Sequence, residues 1–453
     1  MKPRGLDLSA AMAAKKLGVQ ELLESSLTAI DTTSSQGVFT GVLKERALQK
    51  AEEIQGRINR GEALSPLAGL PVAIQDNIFV AGVEAACASA ILKGHTPIFS
   101  ATAVERLEAA GLIVAATYNM KEFGMGSSPS APQALPDPAA QAAAIFPLVL
   151  GSDTGGEIRR SCGAQGLTGI KPSYGLVSRH GLGAYGSSLD QIGPMGRNID
   201  DTAALLSIIS GMDGKDDTCI QEKPLGYRSN QAVTLENLRI GLPRNYIDKL
   251  KDQETGSFIF GAARELERAG AKIGECDLPL SEFVIAAHTI ITAAEGSTNL
   301  SRFDGLKYGP GRAGSETLMD LYRLSRSEGF GYEVKKKILL GSFLLLSENY
   351  DRYYRKALKV RSLIIQTYAR LFENFDLIMS PVGEVYDIPA NLAGLPSAVL
   401  PCGSTQRGQH YSFQFIGRAF SEDLIIQAAQ VYQNRTKHHW TGPEAASSEE
   451  KKG

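Results

Sequence analysis

The chain has 453 residues, 43% of them apolar and 21% charged, with 47 glycines, the balance of an ordinary folded protein. Lys plus Arg (47) against Asp plus Glu (49) leaves no basic excess, which argues against direct nucleic-acid binding. Five cysteines (Cys87, Cys162, Cys219, Cys276 and Cys402) without C-x-x-C spacing argue against a disulfide framework or a cysteine zinc site, and a reducing cytoplasm is the simplest setting.

Met1 to Leu8 holds no apolar signal-peptide core, and no long uncharged apolar run predicts a membrane span. Val19, Leu22, Leu23, Leu27 and Ile30 repeat at helical spacing, as do Ala47, Ala51, Ile54 and Ile58, predicting two helices with one core face each. Pro66 to Asn77 reads as a turn and a short buried strand ending in Gln75, Asp76 and Asn77. Ser100 is placed to cap a helix whose apolar face is Val104, Leu107 and Ala110, with Gly111 closing it and Leu112 to Ala116 following as a strand. Residues 129–147, with Pro129, Pro132, Pro136 and Pro138, predict an irregular connection with a short helix from Ala139.

Phe146 to Leu150 reads as a strand running into the glycine-dense stretch Gly151-Ser152-Asp153-Thr154-Gly155-Gly156-Glu157-Ile158-Arg159. A strand, a glycine turn and a helix start bring backbone amides together, so this stretch is the leading site candidate on form alone. Glycine stays frequent to Asp201, and the polar segment from Asp213 to Glu236 reads as a surface excursion. Leu238 to Leu242 is a predicted strand and Phe258 to Ala269 a helix; Tyr332 to Phe375 is helical in pattern and broken at Gly341. Phe375 to Ser380, Ser397 to Leu400 and Tyr411 to Ile416 supply further strands, and Ser421 is placed to cap a last helix. The expected organisation is one domain over 1–440, with N-terminal helices in 1–65, a core in 66–212, a second half in 237–440 and a disordered tail in 441–453.

Four separated blocks, Pro66 to Asn77, Thr117 to Ser128, Gly151 to Pro194 and Pro389 to Gly403, closely resemble the amidase-signature family; with the smaller Asn299 to Gly305 they are most similar to its amidotransferase A-subunit branch. The resemblance implies an α/β fold with a mixed, twisted central sheet covered by helices on both faces. It also implies a Ser, cis-Ser, Lys triad that hydrolyses an amide, with glutamine as the ammonia donor in that branch. On the matching positions this chain has Gln75 for the lysine and Glu157 for the nucleophile. Only 22 residues separate Ser128 from Gly151, and none forms the block that carries the cis-serine. Glutamine takes up no proton near neutral pH, and a carboxylate attacking an amide forms an anhydride.

What the resemblance leaves is an oxyanion or ligand-binding surface at Ser152, Asp153, Thr154, Gly155, Gly156 and Arg159, without cofactor or metal. The expectation is a non-hydrolytic family member that binds or scaffolds, with B- and C-type amidotransferase subunits or a small amide or anion as partners. The alternatives are a working amidotransferase subunit and a small-amide or anion sensor. The shortened segment 381–388, which helps shape the glutamine pocket in the family, puts substrate recognition in question too. Bland readings stand beside these. Asp153 and Glu157 are motif residues before they are an acid/base pair, and Cys162 is a buried helix cysteine. Lys335 to Lys337 is a solvated face, His438 and His439 are solvated near a chain end, and Tyr350, Tyr353 and Tyr354 are packing residues.

Overall fold

The computed structural model describes residues 3–33, 37–125, 137–220, 225–226, 234–250, 252–278, 281–308, 317–405 and 408–440. The tail at 441–453 and Ser127-Ser128 therefore lie outside the described residues, as do parts of the segment from Asp213 to Glu236. The frame is an 11-stranded sheet. Its strands are β1 (Phe39–Val42), β2 (Pro71–Gln75), β3 (Ile113–Tyr118), β4 (Leu148–Asp153), β5 (Thr168–Lys171), β6 (Gln191–Gly196), β7 (Arg239–Pro243), β8 (Lys272–Cys276), β9 (Leu377–Pro381), β10 (Ser397–Ser404) and β11 (His410–Gly417). They lie in the order β1-β3-β2-β4-β6-β5-β10-β11-β9-β7-β8. β2 is parallel to both β3 and β4, and β7 to both β8 and β9; β4 and β6, and β10 and β11, are antiparallel, so the sheet is mixed.

Successive side chains of a strand point to opposite faces, so a strand buried at every position is covered on both. β3, β6 and β9 are buried throughout, whereas the edge strands β1 and β8 hold only half-buried and exposed positions. Helices supply the cover. Val19–Thr33 and Lys44–Asn59 match the predicted amphipathic pair, and Leu23, Ala47, Ala51 and Ile54 are fully buried.

Several local expectations fall differently. The predicted strand over 146–150 begins at Leu148 and continues through Gly151, Ser152 and Asp153, because these three pair with Gly193, Ile192 and Gln191 of β6; the turn shrinks to Thr154–Gly156. Ser100 does not cap its helix, which runs Thr102–Ala109, since its hydroxyl accepts the Ala81 amide instead. Ser421 likewise makes no cap to Glu422–Arg435, and donates to the Arg418 carbonyl. The helix expected from Ala139 is present as Pro138–Ile145, with Asp137 capping the Ala139 amide.

The long helical pattern from Tyr332 divides into Tyr332–Leu345, Ser347–Tyr350 and Tyr354–Asn374. Gly341 lies inside the first of these and does not break it. A Cβ there would stand 2.0 Å from the Ala293 carbonyl oxygen, so the missing side chain permits close crossing with the helix Ser281–Asn299. His439 is buried, not solvated. Tyr350 and Tyr354 meet at 5.3 Å, and Tyr353 meets Phe343; the three tyrosines are half-buried. No helix among the described residues is long and apolar enough to cross a membrane.

Candidate functional site

Parallel β2 and β4 end side by side, and the chain leaving β4 turns at once into the helix Glu157–Gln165. The turn closes at Gly156, whose φ of +103° is left-handed; a Cβ there would lie 2.5 Å from that of Asp387. Two different charged systems sit on either side of this turn.

On the inner side, Asp153 and Arg159 are fully buried and joined at 3.2 Å. Asp153 Oδ1 also accepts the Gly156 amide and the Asn391 side-chain amide, at 2.8 and 2.7 Å. Arg159 donates further to the Asp387 carbonyl, Gln414 Oε1 and Asn391 Oδ1. Burial works to raise the Asp153 pKa, yet Arg159, Lys171 and Asn391 together hold the carboxyl below its ordinary range. Asp153 and Arg159 thus fix the turn from behind, and neither lines the cavity in front of it. The Gly156 amide, bound to Asp153, also points away from that cavity.

On the outer side lies a cavity of about 550 Å³, lined by Gln75, Asn77, Ser152, Thr154, Glu157 and Arg160 among others. The amides of Thr154 and Gly155 converge in a shallow hollow, and both donate to one oxygen, Glu157 Oε2, at 2.8 Å each. Glu157 therefore occupies the hollow with its own side chain, in the first turn of a helix where negative charge is favoured. Arg160 brackets it: its guanidinium lies 3.6 Å from Glu157 Oε1 and donates to the Gly155 carbonyl at 2.6 Å.

Gln75, at the end of β2, turns Oε1 to Ser152, where it accepts both the amide (2.7 Å) and the hydroxyl (2.9 Å). Ser152 Oγ accepts in turn from Asn77 Nδ2 at 3.0 Å. This three-residue relay contains no group that takes up a proton near neutral pH. Asp190 supports the far wall, accepting the Thr154 hydroxyl at 2.6 Å and the Tyr185 and Gly186 amides at 2.9 and 3.0 Å. Burial pushes its carboxyl up to about 6 despite those hydrogen bonds.

Two residues reach the site that sequence reasoning had not placed there. His288, on the helix Ser281–Asn299, puts Nε2 3.2 Å from the Thr154 carbonyl, and burial lowers its pKa. Lys337 belongs to the run read as solvated, but it turns inward: Nζ donates to the Tyr185 hydroxyl at 2.7 Å and lies 4.9 Å from that ring's centre. Tyr185 lines the cavity. Burial lowers the Lys337 pKa. Neither residue announces itself in sequence, because each is carried in by a helix more than a hundred positions away; Asp190 lies in the Gly151 to Pro194 block. Cys162 lies on the buried face of its helix, with its thiol pushed well above the usual range by burial. Among the described residues no group of three or more His, Cys, Asp or Glu side chains is placed to hold a metal ion.

The family profile described as Amidase matches residues 21–135 and 138–385. The chain belongs to the amidase family. It is 38% identical to a glutamyl-tRNA(Gln) amidotransferase A subunit of Symbiobacterium thermophilum, over 96% of this chain and 97% of that protein. It is 41% identical to the protein of the same name from Lachnoclostridium phytofermentans, over 95% and 97%. The crystal structure of the glutamyl-tRNA(Gln) amidotransferase A subunit of Thermotoga maritima superposes with a TM-score of 0.74 at 28% identity, covering 95% of each chain. A bacterial aryl acylamidase shares the fold more closely still, with a TM-score of 0.84 at 19% identity over 98% of both chains.

Proposed function

We propose that this amidase-family chain acts as a component of the A-subunit type that holds a small polar ligand, or a partner subunit, without hydrolysing an amide through a serine mechanism. The observation that carries this reading is the Glu157 carboxylate, which takes the Thr154 and Gly155 amides for itself at 2.8 Å each. Charge-assisted hydrogen bonds of this kind contribute roughly 1.5–3 kcal/mol apiece, so a substrate carbonyl competing for the hollow starts at a disadvantage. Gln75 points the same way. It offers an amide where a proton acceptor is required, and its acceptor oxygen is already engaged by Ser152.

The names of the relatives favour a second reading: a subunit of a tRNA-dependent amidotransferase that releases ammonia from glutamine for B- and C-type partners. Identities of 38% and 41% over nearly the whole chain support a place in such an assembly. The two readings share that place and part over hydrolysis. Ammonia release from glutamine, measured on the purified chain alone and with B- and C-type subunits added, separates them. The first reading expects background in both mixtures. Protein-dependent ammonia, lost when Ser152 or Glu157 is replaced, would establish the second.

A further inference from the structure

The helix Tyr332–Leu345 is apolar on two opposite faces. At about 100° per residue, Val334, Lys337, Gly341 and Leu344 share one face. That face is turned inward: Val334 and Leu344 are buried, Gly341 packs on Ala293 and Lys337 reaches Tyr185. Tyr332, Lys336, Leu339 and Phe343 share the other face, and Leu346, the C-cap residue, continues it. Tyr332 is 75% exposed, Leu339 71%, Leu346 49% and Phe343 48%. A helix apolar on two faces is ordinarily packed on both, and contiguous exposed apolar side chains mark places where proteins meet.

The spacing of these residues, alternately four and three, is that of the a/d seam of a heptad repeat, which is narrower than the stripe a helix turns to a globular core. The seam is also one-sided in charge. Lys336 stands within it, 3.9 Å from Glu333. Arg352 lies over the ring of Tyr353, which meets Phe343 at 5.9 Å. Between Tyr332 and Arg361, Lys and Arg outnumber Asp and Glu by eight to three, although the whole chain carries a formal charge of -2. A second copy of this chain would set like charges together, and a heptad period matches another helix better than a lipid surface or an RNA strand.

We propose that this seam docks an amphipathic helix of another polypeptide, one with apolar residues at heptad spacing and acidic side chains beside them to meet Lys336 and Arg352. Knobs from such a helix fit between Tyr332, Leu339 and Phe343, and the flanking acids select it over basic competitors. The inference rests on the partner half of the reading given above and supplies its surface and chemistry.

Synthetic peptides of about three heptads, labelled at one end, test the proposal on the full chain by fluorescence anisotropy. The first carries Leu at a and d with Glu at e and g; a second has Lys in place of Glu, and a third Ser in place of Leu. Like charges at e and g keep the first two from pairing with themselves. The Glu peptide is expected to bind saturably and roughly tenfold or more tighter than the others. The Leu339→Ser, Phe343→Ser double variant, still melting cooperatively, is expected to lose that binding, and Lys336→Glu to reduce or reverse the preference for Glu over Lys. If the double variant does not fold, Lys336→Glu decides. No binding of the Glu peptide at roughly one millimolar, equal binding of the Lys peptide, full binding by the folded double variant, or an unchanged preference in Lys336→Glu would overturn the proposal. So would binding of anionic phospholipid vesicles or bulk tRNA, or self-association of the chain, that the double variant abolishes and the Glu peptide does not displace. All of these outcomes read association, and hydrolysis is decided apart from them by ammonia release.

Discussion

Gln75 Oε1 accepts two protons from one residue, the amide and the hydroxyl of Ser152, at 2.7 and 2.9 Å. The pair ties the end of β2 to the end of β4, beside the turn that holds Glu157. Removing the acceptor in Gln75→Leu leaves the half-buried Ser152 amide unpaired. A stability loss of about 1–3 kcal/mol is expected in urea melts. Gln75→Lys is expected to cost at least as much, because an ammonium offers Ser152 no acceptor.

Glu157 holds the turn as well as filling the hollow. Glu157→Ala releases the Thr154 and Gly155 amides together and is expected to destabilise by about 2 kcal/mol, whereas Glu157→Gln keeps an accepting oxygen and loses less. Added formate or acetate should restore part of the loss in Glu157→Ala and leave the unaltered chain unchanged, which differential scanning calorimetry can read.

Asp190 gives the site a pH signature with a definite sign. Its carboxyl is raised to about 6 in the fold from an ordinary 3.8, so between those values the folded state binds the extra proton. The associated stability is fully present below about pH 4 and is lost as pH rises through about 6, amounting to roughly 3 kcal/mol by linkage. Asp190→Asn should remove this contribution from the stability profile, so that the difference between the two chains changes across about pH 4–6 and is level above about pH 7.

Gly341 tests the route by which Lys337 reaches the site. In Gly341→Ala the new methyl meets the Ala293 carbonyl and Ser297 Cβ, at 2.0 and 2.5 Å before relaxation, and the helix Tyr332–Leu345 must move outward. A destabilisation of about 1–3 kcal/mol is expected. Tyr185 should lose its Lys337 partner, which ultraviolet titration of the tyrosines can follow.

Much of this arrangement was legible in the sequence. The two amphipathic helices of the first sixty residues, the buried strands and the glycine turn with Glu157 in the nucleophile's position follow from periodicity and from the family blocks. What was not legible depends on which partner a polar group finds. Ser100 reads as a cap but serves the Ala81 amide, and Arg159 reads as a site residue but is fully buried against Asp153. Lys337 reads as solvated and turns inward because Gly341, one helical turn on, lets its helix approach Ala293 closely. Local pattern fixes helix and strand; it does not reveal contacts made across a hundred residues, such as His288 on Thr154.

The most direct test of the central claim is a glutaminase assay on the purified chain, run beside the Gln75→Lys, Glu157→Ser double variant. With Glu157 in the hollow and no proton acceptor at Gln75, no ammonia release above background is expected from the unaltered chain. None is expected from the double variant either, because no stretch between Ser128 and Gly151 matches the block that carries the family's relay serine. Turnover of glutamine by the unaltered chain that disappears on replacing Glu157 or Ser152 would contradict this.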